Sequence, residues 1–399
     1  MSFDIEDLKP RQRRPGNALK PSPLPEFLQR MLERGKAELA APFRGITTAG
    51  EPVPGLFSIA KTGHSLQGVV DAANAFLASL APGQRAVACF DLETGPWRAW
   101  HNMHTFLIRH GALLEECDGA QREAAMALLR ASMSAAGYNL ARDVMRLNEH
   151  IGEITGRAGE FGEWFYWLSI LGTPSPVAPW GWQIDGHHLI VNCFVLGDQM
   201  VLTPNFLGSE PVHARFGKYA GTRVFQAEEA QGHALMSALA PEQQGRARIG
   251  MELPFDVYAT AFNDNLVLPY QGIPYGALSQ EQRERLWGLI GLYVGRAREG
   301  HAEVKLDEVK RHLEATHFAW IGACDAVRPF YYRVHNPVVL IEFDHQPGIA
   351  LDNDYPTRHH THTLVRTPNG NDYGKDLLRQ HYLQFDHARP DSLHRQGKA

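Results

Sequence analysis

Residues 182–192 read WQIDGHHLIVN, and residues 332–342 read YRVHNPVVLIE, 150 positions further along the chain. Each stretch runs from an aromatic residue through turn-forming residues into an apolar segment. This pattern is typical of an antiparallel β-hairpin. We place the two turns at Asp185-Gly186 and at His335-Asn336.

The two hairpins belong to a longer series of internal matches. Residues 75–84 (AFLASLAPGQ) resemble residues 234–243 (ALMSALAPEQ), and QRE occurs at both 121–123 and 282–284. All the matches keep one order along the chain. We therefore predict an internally duplicated α+β fold, with two related halves of helix pairs and antiparallel β-hairpins in pseudo-two-fold symmetry.

The matches also define the domain organisation. Residues 63–215 are the first α+β half, and residues 216–385 are the second half, which holds the histidine-rich hairpins. Residues 1–62 are a proline-rich N-terminal arm, with a helix predicted only over 26–39. We expect this arm to wrap the body or a neighbouring subunit, which would make a homo-oligomer. Residues 386–399 are predicted to be a flexible tail.

Composition excludes several classes of function. The 399 residues carry a formal net charge of -5, which disfavours nucleic acid as a partner, and no apolar run is long enough to span a membrane. The first twenty residues contain no export signal. The four cysteines lie far apart, which is typical of the reducing cytoplasm. Phosphate-binding and dinucleotide-binding glycine motifs are absent.

Histidines carry the strongest chemical signal, with 20 in the chain. His360 and His362 are two residues apart, so on a strand both imidazoles face the same side. His187 and His188 are adjacent, so only one of them can face a given site on a regular strand. These four are our candidate metal ligands for a divalent Zn, Mn or Fe ion. The alternative is that they are solvated or hydrogen-bonded histidines near strand ends.

Four further residues are candidates for catalysis. Glu342 lies in an otherwise apolar strand, where burying a carboxylate is costly unless a cation compensates it. We expect it to reach either a metal beside the histidines or the guanidinium of Arg333 or Arg366. The two arginines would clamp an anionic substrate, or form structural ion pairs. His335 lies at the predicted second turn.

Aromatic and polar residues near the hairpins are candidates for substrate binding. Most of the aromatic residues must belong to the core, but some would line a pocket. Asp372 lies in a turn before the last predicted helix, which it would otherwise cap. The candidate substrate-binding residues are Trp180, Trp182, Tyr332, Asp372 and His381.

At these residues the chain resembles an uncharacterised family, domain of unknown function 3500. The resemblance covers roughly residues 65–385, and it implies no established activity. It rests on W-x-W-x-x-x-G-H-H-L at 180–189, T-P-x-F-L-G at 203–208, Y-Y-R-x-H at 331–335, H-x-H at 360–362 followed by Arg366, and N-D-Y-G at 371–374.

The residues predict a metal-dependent enzyme that acts on a small anionic molecule, with hydrolysis as the favoured reaction. An ion held by His360, His362 and either His188 or Glu342 would activate water. An iron- or copper-dependent oxidoreductase could use the same histidines. A metal-free protein that binds a small ligand between the aromatic hairpins is the third possibility.

Overall fold

The computed structural model describes residues 8–12, 17, 19, 26–104 and 108–385. Their ten α-helices and one thirteen-stranded mixed sheet confirm the α+β class. The predicted tail, 386–399, lies outside the described residues. The helices are α1 (Glu26–Ala40), α2 (Gln67–Ser79), α3 (Pro82–Ala88), α4 (Gly119–Ser132), α5 (Ala135–Thr155), α6 (Gln226–Ser237), α7 (Pro241–Ala247), α8 (Gln280–Val294), α9 (His301–Lys310) and α10 (Lys375–Gln384).

The strands are short and most are fully buried. They are β1 (Cys89–Phe90), β2 (Ala112–Leu113), β3 (Tyr166–Leu171), β4 (Trp180–Gly186), β5 (Leu189–Leu196), β6 (Gln199–Val201), β7 (Asn205–Ser209), β8 (Arg248–Gly250), β9 (Ile273–Pro274), β10 (His317–Gly322), β11 (Phe330–His335), β12 (Leu340–His345) and β13 (Thr361–Arg366).

The sheet joins strands from both predicted halves. Its order is β1-β3-β4-β5-β7-β13-β12-β11-β10-β8. Three short strands pair outside this order: β2 with β3, β6 with β5 and β9 with β10. The outer strands β1 and β8 are parallel to their neighbours, and the other pairs are antiparallel. The β7–β13 pair is the only junction between strands of the two halves among the described residues.

Most of the helices cover one face of this sheet, and loops cover the other, with α1 packed on these loops. On the helix face, Trp182 of β4 donates a hydrogen bond to Ser132 of α4, and Tyr332 of β11 contacts Tyr293 of α8. The opposite face carries residues of the other parity, among them Glu342 and His362. Because both faces are covered, the strands lack the alternation of buried and exposed residues that a one-sided sheet shows.

The Leu-Ala-Pro sequences mark helix starts as well as helix ends. The structure places Pro82 and Pro241 at the first positions of α3 and α7. Proline is favoured there because the amide hydrogen it lacks has no partner within the helix. In both places a glutamine of the short helix exchanges hydrogen bonds with a glutamine of the next long helix: Gln84 with Gln121, and Gln243 with Gln282.

The N-terminal arm contacts the body where it is described. The backbone amide of Arg11 donates to Ala350, and its guanidinium donates to Leu351 and Gly348. The helix predicted over 26–39 is present as α1. None of the described helices combines the length and the apolar character needed to cross a membrane.

The packing of α6 on the sheet gives a test of the fold. A Cβ on Gly232 would collide with the ring of Tyr332, whereas a Cβ on Gly245 in α7 would meet open space. We expect Gly232→Ala to lower the free energy of unfolding by about 1–3 kcal/mol through overpacking. The control Gly245→Ala should raise it by about 0.4–1 kcal/mol. Urea unfolding measures both, and an equal response of the two variants would contradict this packing.

Candidate metal centre

The first histidine of the site lies in the turn between β4 and β5. Gly186 pairs with Leu189, so the turn consists of His187 and His188, and the prediction of a turn at Asp185-Gly186 is wrong by two residues. His188 adopts a left-handed backbone conformation, with φ of 62°. This conformation is uncommon for residues other than glycine, and the turn uses it to project the imidazole from the end of the hairpin. The second hairpin differs: His335 remains in β11 and residues 336–339 form the turn.

The other two histidines come from the start of β13. His362 lies in the strand and His360 immediately precedes it. The three Nε2 atoms form a nearly equilateral triangle: His188 and His360 are 3.1 Å apart, His360 and His362 are 3.1 Å apart, and His362 and His188 are 3.2 Å apart. The structure therefore brings together His188, His360 and His362, and it is His188 rather than His187 that reaches the pair.

Hydrogen bonds at the far side of two rings assign their tautomers. Nδ1 of His360 lies 2.6 Å from the carbonyl oxygen of Pro347, and Nδ1 of His362 lies 2.8 Å from Oδ1 of Asp256. Both partners accept, so both Nδ1 atoms carry the hydrogen, and each neutral ring directs the lone pair of Nε2 into the triangle. Two acceptors 3.1 Å apart repel each other unless a proton or a cation lies between them.

A proton between these nitrogens is unfavourable, because burial disfavours a charged ring. His188, His360 and His362 are only 3–6% exposed. Burial lowers the pKa of His360 to about 3, and burial with the neighbouring histidines holds the pKa of His188 well below its usual range. At neutral pH the rings of His188 and His360 are therefore uncharged, and the triangle presents three ring nitrogens to a shared position.

A glycine makes the close approach of the rings possible. Gly208 of β7 pairs with His362 of β13 across the centre of the sheet. A Cβ at this position would lie 2.8 Å from Cδ2 of His362, 3.0 Å from Cδ2 of His188 and 2.9 Å from the carbonyl oxygen of Thr361. Any other residue would push the two rings away from the sheet, so the last residue of the T-P-x-F-L-G motif has a steric role in the site.

The carbonyl group that holds His360 belongs to a loop with its own anchor. The buried Glu210 carboxylate accepts hydrogen bonds from the amides of Ile349, Ala350 and Leu351. Burial raises the pKa of Glu210, which those three donors oppose. The arm residue Arg11 binds the same loop from outside. The orientation of the His360 ring thus depends on groups about 150 and 350 residues away in sequence.

Two carboxyl groups lie beside His362. One oxygen of Asp256, one of Asp344 and one ring nitrogen of His362 lie within 4.8 Å of one another. Burial raises the pKa of Asp256, but the adjacent His362 ring and the hydrogen bonds from His362, Thr260 and Val257 more than offset this, so the net shift is downward. Burial, reinforced by the charge of Asp256, holds the pKa of Asp344 well above its usual range. The two carboxyl groups are therefore shifted in opposite directions, the pKa of Asp256 downward and that of Asp344 upward.

His187 supports the site without entering the triangle. Its ring stacks on that of His188, with centroids 3.9 Å apart, and its Nδ1 lies 2.6 Å from Oδ1 of Asn148. His104 packs against the edge of the His187 ring, and its Nε2 lies 3.4 Å from Oε2 of Glu160. His187 therefore orients His188 by stacking.

The segment 256–264, which we call the strap, crosses the loop-covered face and carries Asp256. The amides of Tyr258 and Ala259 donate to the two oxygens of Glu342, at 2.8 and 2.9 Å, and the hydroxyl of Tyr331 donates at 2.7 Å. Among the described residues these three donors bind Glu342 and no guanidinium forms an ion pair with it, whereas its contact with a metal stays a prediction. Burial raises its pKa, while Tyr331 and the charge of Arg333 oppose the shift.

Arg366 fastens the other end of the strap. Its guanidinium donates to the carbonyl oxygens of Ala259 and Thr260 and to Oδ1 of Asp264, with Asp372 at 3.1 Å as a second ion pair. These bonds occupy both terminal nitrogens and Nε. Arg366 and Glu342 therefore position the strap, and through it Asp256, rather than meeting a substrate.

The strap gives a test of Glu342. In Glu342→Gln the amide NH₂ would face a backbone N–H donor, so we expect a loss of about 1–3 kcal/mol in the free energy of unfolding. The exposed Glu281→Gln, which breaks only a helix-surface ion pair with Arg285, should change it by less than about 0.5 kcal/mol. Urea titrations compare them. If Glu342→Gln keeps full stability but loses bound metal, Glu342 is a ligand.

Arg333 and His335 lie on β11, away from the triangle. His362 is level with Asp344 and Tyr331, whereas Arg333 and His335 are two and four residues further along β11. Arg333 is 1% exposed and donates to Gln271 through Nη2, and its Nε and Nη1 have no hydrogen-bond partner among the described residues. Arg333 therefore keeps donors for an anionic group, and His335 does not reach the histidine triangle.

The burial of His335 predicts a pH dependence of stability. Burial, with the charge of Arg333 adding to it, lowers the pKa of His335 from 6.5 to about 3. The unfolded chain binds this proton below pH 6.5 and the folded chain does not, so stability is lost as pH falls. We expect wild type to lose about 2 kcal/mol more than His335→Gln between pH 7 and pH 5 in chemical unfolding. Parallel pH profiles would contradict the burial of a neutral ring.

The candidate substrate-binding residues do not gather at the triangle. Trp180 and Trp182 donate to Ser175 and Ser132, and Tyr332 lies under α6 and α8, so all three belong to the core between sheet and helices. Asp372 pairs with Arg366, and burial raises its pKa to about 6. His381 is buried in α10 beside Tyr382 and Phe385.

Sequence reasoning missed Asp256, Asp344 and Gly208. Asp344 had a signal, because it is two residues after Glu342 in the same strand and so faces the same side. Gly208 was noted only as part of a motif. Asp256 had none, because it lies in a segment without regular structure, about 100 residues from the histidine it contacts.

Comparison with known protein families gives one match. Residues 62–375 match the model of a family described as "Protein of unknown function (DUF3500)". The chain belongs to this family. The match includes all three histidines of the triangle, the strap and Gly208. Comparisons with curated proteins and with solved structures gave no match.

Proposed function

We propose that this member of the family is a metal-dependent hydrolase, with a divalent ion held by His188, His360 and His362. One observation carries the proposal: three buried Nε2 atoms converge, and two of them are fixed as lone-pair donors by Pro347 and Asp256. A cation between them removes the repulsion that this geometry otherwise creates.

The dimensions of the triangle fit such an ion. Zinc bound to imidazole at about 2.0–2.1 Å in a tetrahedral site separates the nitrogens by ~3.3–3.4 Å. The observed 3.1–3.2 Å requires only a small expansion. Asp256 then supplies the carboxylate that commonly orients a metal-bound histidine and makes it a better donor.

Three neutral ligands favour water activation. When bound, the divalent ion would supply a Lewis acid with an open position, able to lower the pKa of a coordinated water to about 7. Asp344 is the carboxyl group beside His362 whose pKa is raised by burial, and its Oδ1 has no partner among the described residues. We assign to Asp344 the donation of a proton to a leaving group, since a buried acid with a raised pKa is suited to that step.

A small anionic substrate is consistent with the charges. The three histidines carry no negative charge, so they do not neutralise the charge of the ion. On the same face of the sheet, Nε and Nη1 of Arg333 have no hydrogen-bond partner among the described residues. Asp256 adds a negative charge, and the raised pKa of Asp344 disfavours a second one.

Metal analysis tests the centre. We expect purified protein to contain about one Zn, Mn or Fe per chain, and His360→Ala to lose it, because two remaining ligands bind far more weakly. His359→Ala is the matched control, since this neighbour lies outside the triangle and should retain the metal. Metal-free wild type that also fails to take up added ions would overturn the proposal.

Activity assays separate the reaction classes. Nitrophenyl esters of acetate and phosphate, together with small carboxylated amides, probe hydrolysis by the metal-loaded protein. Oxygen consumption with the same protein probes the iron- or copper-dependent oxidoreductase. Turnover that depends on His360 in the first assay supports the hydrolase, and oxygen uptake without hydrolysis would replace it with the oxidoreductase.

We also infer that the two halves arose by duplication. The support is the strand order, in which β1-β3-β4-β5-β7 meets the reversed series β13-β12-β11-β10-β8, and the repeated glutamine exchange. We also propose that the chain assembles through the N-terminal arm and that it is located in the cytoplasm. The proposed location rests on the four cysteines, which are free.

A further inference from the structure

A second cavity lies on the helix face of the sheet, away from the histidine triangle. Its volume is about 350 Å³, and it is enclosed by residues 56–62, by β6 and β7 and by the facing sides of α8 and α9. Asn205 and Val365, which are paired on β7 and β13, line it. Phe206 and Leu364 are their neighbours on the opposite face, which is the face of His362.

Buried polar atoms without partners converge on this cavity. Oδ1 of Asn205, Nε of Arg296, Nδ1 of His301 and Oε1 of Glu308 have no hydrogen-bond partner among the described residues. Asn205, Arg296 and His301 are only 3–4% exposed. Leaving such atoms unsatisfied costs about 1–3 kcal/mol each, so a polar guest is expected where they meet.

The free atoms specify hydrogen-bond donors deep in the guest. Nε2 of His301 lies 2.9 Å from the carbonyl oxygen of Asp198 and so carries the hydrogen, which leaves Nδ1 as an acceptor. Oδ1 of Asn205 and Oε1 of Glu308 are also acceptors. The cavity therefore offers three hydrogen-bond acceptors and one donor, Nε of Arg296, among the described residues. A guest that donates through a hydroxyl or amino group fits this set.

Charge and apolar surface specify the rest of the guest. Lys61, Arg296, Lys305 and Arg311 line the cavity against only Asp307 and Glu308. Lys61, Arg311 and Asp307 are exposed, so the solvent-facing end of the cavity carries one net positive charge. Apolar walls between the two zones include Met200, Val201, Val294 and Leu377.

We propose that this cavity is a binding site for a small carboxylic acid with an apolar body and a hydroxyl or amino group. The carboxylate lies near Lys61 and Arg311, and the hydroxyl or amino group reaches Asn205 and His301. This site is separate from the metal centre and does not depend on it.

The test uses full-length protein and matched probes. 4-Hydroxyphenylacetate, phenylalanine and 3-hydroxyoctanoate, at about millimolar concentration, are screened by thermal unfolding, because a ligand of the folded state raises Tm. Calorimetry then gives Kd for the best probe. For 4-hydroxyphenylacetate, removing the hydroxyl (phenylacetate) or the carboxylate (4-hydroxyphenylethanol) should weaken binding roughly tenfold.

Variants locate the site. Arg311→Glu on the helix surface should weaken binding roughly tenfold, whereas Lys310→Glu, the adjacent charge reversal outside the cavity, should change it less than about twofold. Asn205→Leu should abolish binding, and the surface variant keeps the test decisive if that protein does not fold. His188→Ala should leave Kd unchanged. The proposal is overturned if no probe raises Tm, or if the 310 and 311 variants have equal effects. Wild-type protein that binds the probe but takes up no metal overturns only the metal centre.

Discussion

The antiparallel register of β7 against β13 is the constraint on which the rest of the structure depends. Among the described residues this pair alone joins the strands of residues 63–215 to those of residues 216–385. The register places Gly208 opposite His362, and only a residue without a side chain lets the His188 ring approach from the neighbouring hairpin. A shift of one residue would turn His362 toward the helices and dissolve the triangle.

The loop-covered face shows how this protein buries charge. Glu342 and Arg366 are completely buried, and each is satisfied chiefly by the strap: Glu342 by two backbone amides, and Arg366 by two carbonyl groups and Asp264. Backbone groups compensate an ion without adding a second charged side chain that must also be desolvated. The strap, in turn, has no regular secondary structure of its own, so these sheet residues satisfy part of its backbone. As a result, the strap holds Asp256 against His362.

The sequence was informative where chemistry is local and silent where it depends on long-range packing. The spacing of His360 and His362 predicted that both face one side, and the α+β class followed from hairpins mixed with helices. The turn was misplaced because Asp185-Gly186 is a strong turn signal, whereas the chain pairs Gly186 with Leu189 and turns at two histidines. The cost of burying Glu342 was recognised, but its partners are backbone amides, which carry no signature in sequence.

The two proposed sites use opposite faces of the same strands. Along β7, Asn205 faces the helix-side cavity and Gly208 faces the histidines; along β13, Val365 and His362 divide in the same way. Alternation of side chains makes this possible without crowding, since neighbouring residues serve different sites. It also means that the backbone positions of these central strands are fixed from both sides: by the close ring contacts at Gly208 on one face, and by the helices that enclose the cavity on the other. A sheet buried on both faces can carry two chemically distinct sites because neighbouring strands hold the side chains of its central strands rigidly on each face.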